Sequence, residues 1–411
     1  MKTKIIKPAK SSFSIFRQLC NCIPGHLVAK LGRATKVDQK SRTFSVWSHV
    51  VAMLYAQCTH ALSLNDICDG LEFNRAELAG IRGAVPPSRN GLSHANRERD
   101  AQFAEQLYWA VVSFLEESQP GFAQFHPRRN YAYRFKRPVH LIDATVIQLV
   151  ANCMDWAKHR ARKAAAKCHM RLDLQTYLPR FALIDTAAQH ENTRARELCA
   201  ALKAGEIAVF DKGFMDLEHL HDLTQRGVFW VIRAKDNLAV EKMGESQAPA
   251  GNVMEDTRAR FKHYVAQHSY PVEVRLVTAK VEVDGQSREL SFLTNNFTWS
   301  GQSVADLYRC RWNIEVFFKT LKQTFQIADF LGYSANAVRW QVWISLLSFV
   351  LLRFIAWKSR WSAAFIRLFT IIRAALWKRW DLFDLLSFYG TAREPFRMRG
   401  QPEQAYFAGF S

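Results

Sequence analysis

The residues best suited to chemistry lie in the segment Tyr308–Lys322, which reads YRCRWNIEVFFKTLK. It contains no proline or glycine, so one continuous helix is predicted through it. A stripe about 80° wide on this helix, beside an apolar face, collects a phenol, a guanidinium, one carboxylate and two ammonium groups, from Tyr308, Arg311, Glu315, Lys319 and Lys322. A carboxylate among cations can bind a divalent metal while its neighbours hold phosphates. The alternative is a structural role, because a solvated helix face with an ordinary Glu315–Lys319 ion pair would show the same distribution of charged residues.

Two aspartates further upstream lie on predicted strands. The stretch 137–150, RPVHLIDATVIQLV, is apolar and rich in β-branched residues, which predicts a buried strand with Asp143 midway. The stretch 206–214, EIAVFDKGF, predicts a second short strand that ends at Asp211, before Gly213. Open α/β sheets place their ligands at the carboxyl ends of strands, so both aspartates are candidates for a site.

The spacing Y-x2-R-x3-E-x6-K resembles the signature of the insertion-sequence-4 family of DDE transposases, and its residues here are Tyr308, Arg311, Glu315 and Lys322. The contexts of the two aspartates are also similar to those of the family. Asp143 is followed by a small residue and a threonine, and Asp211 stands in an Asp-basic-Gly-aromatic turn. The resemblance implies an α/β fold with a ribonuclease-H-like catalytic core.

The resemblance further implies that Asp143, Asp211 and Glu315 are the catalytic residues and the metal ligands. They would bind two Mg²⁺ ions, with Mn²⁺ as the alternative, for cleavage of transposon ends and strand transfer into target DNA. Residues for binding DNA phosphates are expected on the same helix face as the glutamate: Tyr308, Arg311 and Lys322.

Other polar residues compete for these roles. On local context alone Asp185 could replace either aspartate, and Asp216 lies close to Asp211, because a strand-end aspartate is often only a helix cap or turn former. The match to the family motifs favours Asp143 and Asp211. For three further residues near the same edge, a structural or DNA-backbone role is favoured over metal binding: His140, Lys167 and His169.

Composition limits the partner. The chain has 411 residues with 56 Lys+Arg against 37 Asp+Glu, a net charge of +19, which implies a polyanion such as nucleic acid or an anionic membrane. The longest apolar run, 342–352, is too short to span a bilayer and predicts a buried core helix, so DNA is favoured. The eight cysteines form no zinc spacing, and no secretory pattern begins the chain, so a reducing cytosol is expected. The family resemblance implies a bacterial cytoplasm, with nucleoid association when the protein acts.

Five regions are predicted along the chain. They are a helical N-terminal domain (1–125), the first part of the catalytic core (130–227), a β-rich insertion (228–298), the second part of the core with the Glu315 helix (299–360) and a C-terminal helical region (361–411). The segment 153–167 is basic, and its closeness to Asp143 slightly favours phosphate binding over a solvated helix face.

Some roles stay open in these regions. The N-terminal domain is either a helix-turn-helix-like reader of DNA ends or a scaffold for the core. Some relatives use an insertion tryptophan to stack on a flipped base. Of the two tryptophans in this region, Trp230 is expected to pack in the core, and the sequence does not decide between core packing and base stacking for Trp299.

The predicted function is DNA transposition by a DDE transposase that binds double-stranded DNA, at both transposon ends and target, as a homodimer on paired ends, without a membrane. Two rivals share the fold. A ribonuclease-H-like nuclease or resolvase would keep the carboxylates without strand transfer, and a non-catalytic remnant would keep the charge and the fold. The Y-R-E-K spacing disfavours the first rival and the intact triad disfavours the second.

Overall fold

The computed structural model describes residues 8–39, 41–124, 135–149, 153, 158–160, 163–186, 191–244, 251–283, 286–325, 327 and 330–389. Residues 154–157 and 161–162 of the predicted basic segment, and residues 390–411 of the predicted C-terminal region, lie outside the described residues. The helices are α1 (Ile15–Cys20), α2 (Gly25–Ala34), α3 (Val46–Thr59), α4 (Leu64–Phe73), α5 (Arg75–Ala79), α6 (Arg89–Glu98), α7 (Gln102–Ser118), α8 (Pro120–Ala123), α9 (Glu191–Cys199), α10 (Leu217–Gln225), α11 (Tyr264–Ser269), α12 (Gly301–Cys310), α13 (Trp312–Thr324), α14 (Ala335–Lys358), α15 (Phe365–Ala374) and α16 (Leu382–Phe388).

The first 124 residues are helical where described, and local sequence explains where several of these helices begin. Ser45 caps α3 by accepting a hydrogen bond from the backbone of Ser48. At α4, Ser63 and Asp66 form a capping box, in which each side chain accepts from the other residue's backbone. Such caps satisfy amide groups that have no partner inside the helix.

The strands form one sheet. Their bounds are β1 (Val139–Leu149), β2 (Lys158–Arg160), β3 (Lys163–Asp173), β4 (Pro179–Thr186), β5 (Ile207–Phe210), β6 (Phe229–Arg233), β7 (Val240–Met243), β8 (Val253–Phe261), β9 (Val274–Val283) and β10 (Gln286–Thr294). The order is β2-β3-β1-β5-β6-β10-β9-β8-β7, with β4 also pairing β3. The strands β1, β5 and β6 run parallel, whereas β3 and β10 pair antiparallel with this group.

The strand β6 joins two regions that sequence reasoning separated. The predicted insertion (228–298) includes β6, but β6 pairs in parallel with β5 and its other edge pairs with β10. The insertion therefore extends the sheet instead of forming a separate layer. The buried pair Arg275–Asp256 anchors it, with Nη2 and Oδ2 2.6 Å apart. A Cβ on Gly301, the first residue of α12, would lie 2.6 Å from the same Oδ2, so the insertion packs tightly on that helix.

The helix α14 forms the centre of the largest hydrophobic core. It is apolar all round and packs against α3, α6 and α7 as well as α13. It is the one helix within the described residues that is long and apolar enough to cross a membrane, but 94% of its most apolar window is buried inside the protein. The prediction of a buried core helix at 342–352 agrees with this burial.

The helix predicted through Tyr308–Lys322 is wrong at one point, because α12 ends at Cys310 and α13 begins at Trp312. At this junction the amides of Arg311 and Ile314 bond carbonyls three residues back instead of four. The Asn313 side chain donates to the Cys310 carbonyl at 2.8 Å, taking an acceptor that a continuous helix would use. The hydrogen-bond ladder is therefore interrupted at Arg311, although this residue keeps helical dihedral angles (φ −53°, ψ −35°).

Candidate active site

Three elements bring the predicted carboxylates to the carboxyl end of the paired segments of β1 and β5. The parallel pairing of β1 and β5 runs up to Ile142 opposite Phe210, and the residue that follows each of them in the chain is an aspartate, Asp143 and Asp211. Glu315 lies in the first turn of α13, which packs against β1. The two aspartates are thus neighbours because of strand register, and the glutamate reaches them because of helix packing.

Arg311 connects two of the three carboxylates. Its Nη1 lies 3.1 Å from Oδ2 of Asp143 and its Nη2 lies 2.5 Å from Oε1 of Glu315. The arginine side chain is 13% exposed and that of Asp143 is 14% exposed, so this contact forms largely out of water, whereas Glu315 is 32% exposed. Such pairs are strong but offset a large desolvation cost.

Tyr308 holds the third carboxylate. Its hydroxyl donates to Oδ1 of Asp211 at 2.9 Å. The phenol ring packs on Phe292 of β10, with ring centroids 4.7 Å apart. Phe292 was not predicted as a site residue, although it lies within the predicted β-rich insertion (228–298). The insertion therefore helps to orient a signature residue.

Burial favours the protonated form of two carboxyl groups at this site, those of Asp143 and Glu315. Burial raises the pKa of Asp143 to about 7, and the Arg311 charge opposes this only in part. Burial also raises the pKa of Glu315, against the effect of the same arginine. Raised carboxylate pKa values are typical of functional sites, where desolvated acids are gathered together.

Lys322 reaches the site from the last turn of α13. Its Nζ donates to the backbone carbonyl of Val146 on β1 at 2.9 Å, and burial lowers its pKa. The lysine thus fastens the glutamate helix to the aspartate strand, three residues beyond Asp143. Its predicted contact with a DNA phosphate stays a prediction.

The competing residues lie in other settings. Asp216 caps α10 by accepting from the amide of His219, which is the structural role weighed for it. Asp185 lies on β4, opposite Lys167 of β3, and its side chain lies outside the described residues. His140 and His169 are buried, with Nε2 of His140 3.3 Å from a carboxylate oxygen of Glu206.

The two tryptophans of the insertion region both pack. Trp230 is fully buried and donates from its indole to Thr224 at 2.9 Å, as the core prediction requires. Trp299 is partly buried, with its ring 5.2 Å from Phe229, and its carbonyl accepts from Arg275 at 2.6 Å.

The donor set suits a hard divalent cation, since it consists of carboxylate oxygens alone. Among the residues that the structure describes, no three acidic, histidine or cysteine side chains already converge enough to hold a metal ion. Arg311 and Tyr308 contact the oxygens that would serve as ligands.

Residues 134–351 match the family described as transposase DDE domain, which is more than half of the chain. The chain belongs to this family. Residues 11–81 match a second description, a domain of unknown function (DUF4372). The prediction made from the Y-R-E-K spacing is thereby confirmed.

The curated relatives narrow the class to transposases of insertion sequences of the insertion-sequence-4-like group. The chain is 28% identical over 303 residues to putative transposase y4zB of Sinorhizobium fredii, covering 72% of this chain and 80% of that one. It is 26% identical over 225 residues to a probable transposase for insertion sequence element IS5377 of Geobacillus stearothermophilus. That second match covers 54% of this chain and spans 58% of the relative's length.

Among solved structures, a cryo-EM structure of the piggyBac transposase synaptic complex with hairpin DNA matches with a TM-score of 0.46 and 11% identity. The match covers 96% of this chain and 86% of that one. A likeness this distant decides nothing about the site.

Proposed function

We propose that the protein cleaves the ends of an insertion sequence and joins them to target DNA, with Asp143, Asp211 and Glu315 as the catalytic carboxylates. The observation that carries this proposal is the placement of these residues: adjacent parallel strands lead into two neighbouring aspartates, and α13, which bears Glu315 and Lys322, packs against β1. Family membership supports the same assignment.

The catalytic core is proposed to be ribonuclease-H-like. In support, the strand order β4-β3-β1-β5-β6 contains a meander of three antiparallel strands followed by two parallel ones. The five regions drawn from the sequence, including a helical N-terminal domain that reads DNA ends or supports the core, stay proposals alongside it. For the first role, α6 offers the exposed residues Arg89 and Arg97.

The three carboxylates are proposed to bind divalent cations, two Mg²⁺ ions or Mn²⁺ in their place. When bound, such ions supply Lewis-acid activation of water and stabilisation of the leaving 3′ oxygen. Arg311 contacts one oxygen each of Asp143 and Glu315, so this guanidinium would compete with a metal ion for those two oxygens. A DNA phosphate is a fitting new partner, since guanidinium groups bind phosphates in two-point geometry.

The remaining signature residues are proposed to position the phosphate. Tyr308 holds Asp211 in place through its hydroxyl, and Lys322 holds α13 against β1.

The net charge of +19 supports double-stranded DNA as the partner. We further propose a homodimer on paired ends, and action in the bacterial cytoplasm in association with the nucleoid.

The test is a cleavage reaction. Purified protein is incubated with DNA carrying the terminal repeats of its element and with Mg²⁺, and the nick is mapped to the nucleotide. We expect a free 3′-OH at the transposon end and its transfer into a target duplex. Nicking without joining would favour a ribonuclease-H-like nuclease or resolvase, and binding without nicking would favour a non-catalytic remnant.

A further inference from the structure

His60 joins three parts of the chain at one imidazole ring. It directly follows α3, within the region that matches the domain of unknown function, and its left-handed backbone (φ 56°) ends that helix. Its Nε2 lies 2.7 Å from the carbonyl oxygen of Thr324, the last residue of α13. Its Nδ1 lies 3.0 Å from Nη1 of Arg373 on α15, and the ring stacks on Phe369 with centroids 5.2 Å apart.

The partners determine where the ring carries its proton. A guanidinium can only donate, so Nδ1 accepts from Arg373 and Nε2 carries the proton that is donated to Thr324. Burial is the main cause that lowers the pKa of His60, and the Arg373 charge adds to it, which favours this neutral form. The ring therefore acts as a directional link between α15 and α13.

The accepting carbonyl needs this donor. Carbonyl groups in the last turn of a helix have no partner within the helix. Thr324 is only 1% exposed, so water is a poor substitute for the imidazole. Loss of this donor leaves a buried carbonyl without a partner, which is expected to loosen the end of the helix locally.

We propose that His60 is a positioning residue, which fixes the C-terminal end of α13 and ties the placement of the N-terminal helices to Glu315 and Lys322. The inference rests on the proposed function, because it gives Glu315 a catalytic role. Glu315 lies nine residues before Thr324, about 13.5 Å along the helix axis. A shift of about 1 Å at a catalytic group can cost about 100-fold in rate.

Two substitutions separate positioning from packing. His60→Phe keeps an aromatic ring against Phe369 but loses both hydrogen bonds, whereas His60→Gln keeps a donor for Thr324. We expect His60→Phe to lower the single-turnover cleavage rate at least about tenfold while affinity for end DNA stays within about twofold. His60→Gln should recover most of the rate, and Arg373→Met should fall between the two. The control is His263→Phe, since His263 is an exposed residue of the insertion.

The second readout does not depend on cleavage. Hydrogen–deuterium exchange of peptides covering residues 312–325 should be faster in His60→Phe than in the wild type and His60→Gln, at similar thermal midpoints. The inference is overturned by equal exchange in all three proteins. It is also overturned by a rate loss that follows DNA affinity or global stability, or by His60→Gln behaving like His60→Phe. If the wild type itself does not cleave, the proposed function fails, and the exchange experiment still decides the role of His60.

Discussion

Two arginines with largely buried side chains, Arg180 and Arg311, each join an aspartate to a glutamate, and they do so in different ways. Arg180 donates to both carboxylate oxygens of Glu116, at 2.7 and 2.8 Å, and through Nε and Nη2 to Asp173, at 3.3 and 3.2 Å. Arg311 makes one contact with Asp143 and one with Glu315. Its buried Nε has no hydrogen-bond partner among the residues that the structure describes.

The difference distinguishes two kinds of cluster. The Arg180 cluster is a structural lock, meaning that it only stabilises the fold, whereas the residues of the Arg311 cluster can bind other partners. The free oxygen of Asp173 accepts the backbone amides of Gln175 and Thr176, so the Arg180 cluster is saturated and joins α7 to β3 and β4. In the Arg311 cluster, by contrast, one buried donor, Nε of Arg311, remains unused within the described part of the chain. Buried groups that lack partners cost stability and are kept mainly where function needs them.

The largest expected effect comes from the carboxylates. Replacement of Asp143, Asp211 or Glu315 by Ala should lower cleavage by at least about 1,000-fold, because each serves metal binding and the chemical step. Binding to end DNA should change little. The measurements are single-turnover cleavage and a filter-binding or anisotropy titration on the same DNA.

Asp173→Asn and Asp216→Asn serve as matched controls, since both carboxylates have structural partners. They should lose thermal stability while the folded fraction still cleaves. Substantial cleavage by any alanine variant of the three carboxylates would remove that residue from the site.

The second prediction sets the two arginines against each other. Arg180→Met should destabilise the fold by about 3 kcal/mol, because it leaves two largely buried carboxylates without their cation. Cleavage by the folded fraction should persist. Arg311→Met should instead lower cleavage about 100-fold with a smaller loss of stability, as expected for a phosphate-positioning group.

Chemical denaturation and single-turnover cleavage of both arginine variants measure this double contrast. If Arg311→Met loses as much stability as Arg180→Met and its cleavage falls only in proportion, both clusters are structural locks.

A smaller contrast is expected between two lysines of α13. Lys322→Ala should lower cleavage about tenfold, near 1.4 kcal/mol of transition-state stabilisation, because Lys322 fastens α13 to β1 beside the site. Lys319→Ala should be mild, since Lys319 is outside the signature. Equal small losses in cleavage rate and thermal midpoint for both variants would indicate an ordinary charged helix face.

The last contrast concerns pH. Because the folded protein raises the pKa of Asp143 from 3.8 to about 7, folding favours the protonated acid. The resulting stability is complete below the ordinary pKa and is lost as pH rises through about 7. The free energy of unfolding of the wild type should therefore fall more between about pH 4 and pH 7 than that of Asp143→Asn. Parallel curves for the two proteins would show that burial does not shift this acid.

Much of the site follows from local patterns. The apolar runs before Asp143 and Asp211 predicted the strands β1 and β5, because buried parallel strands require continuous hydrophobic residues. The spacing of the signature predicted a glutamate helix, and α13 carries Glu315 and Lys322 as expected. The predicted roles of these residues await the measurements above, whereas the family prediction is confirmed.

Other features could not be predicted from the sequence. No proline or glycine near Arg311 predicts the helix break there. The break is accompanied by a hydrogen bond from the Asn313 side chain to the Cys310 carbonyl. His60 stands 264 residues from Thr324, and no local pattern pairs them. The extension of the sheet through β6 and β10 also depends on edges that meet only after folding.

By itself, the sequence determined the class of protein: the types and spacing of a few charged residues identify the family, and hydrophobic periodicity makes the chain α/β. The tertiary structure alone decided which partners these charges have. Arg311 lies between Asp143 and Glu315, and Lys322 bonds to β1, because packing brings together groups more than a hundred residues apart in the chain. Periodicity records which face of an element is buried, but not what that face meets.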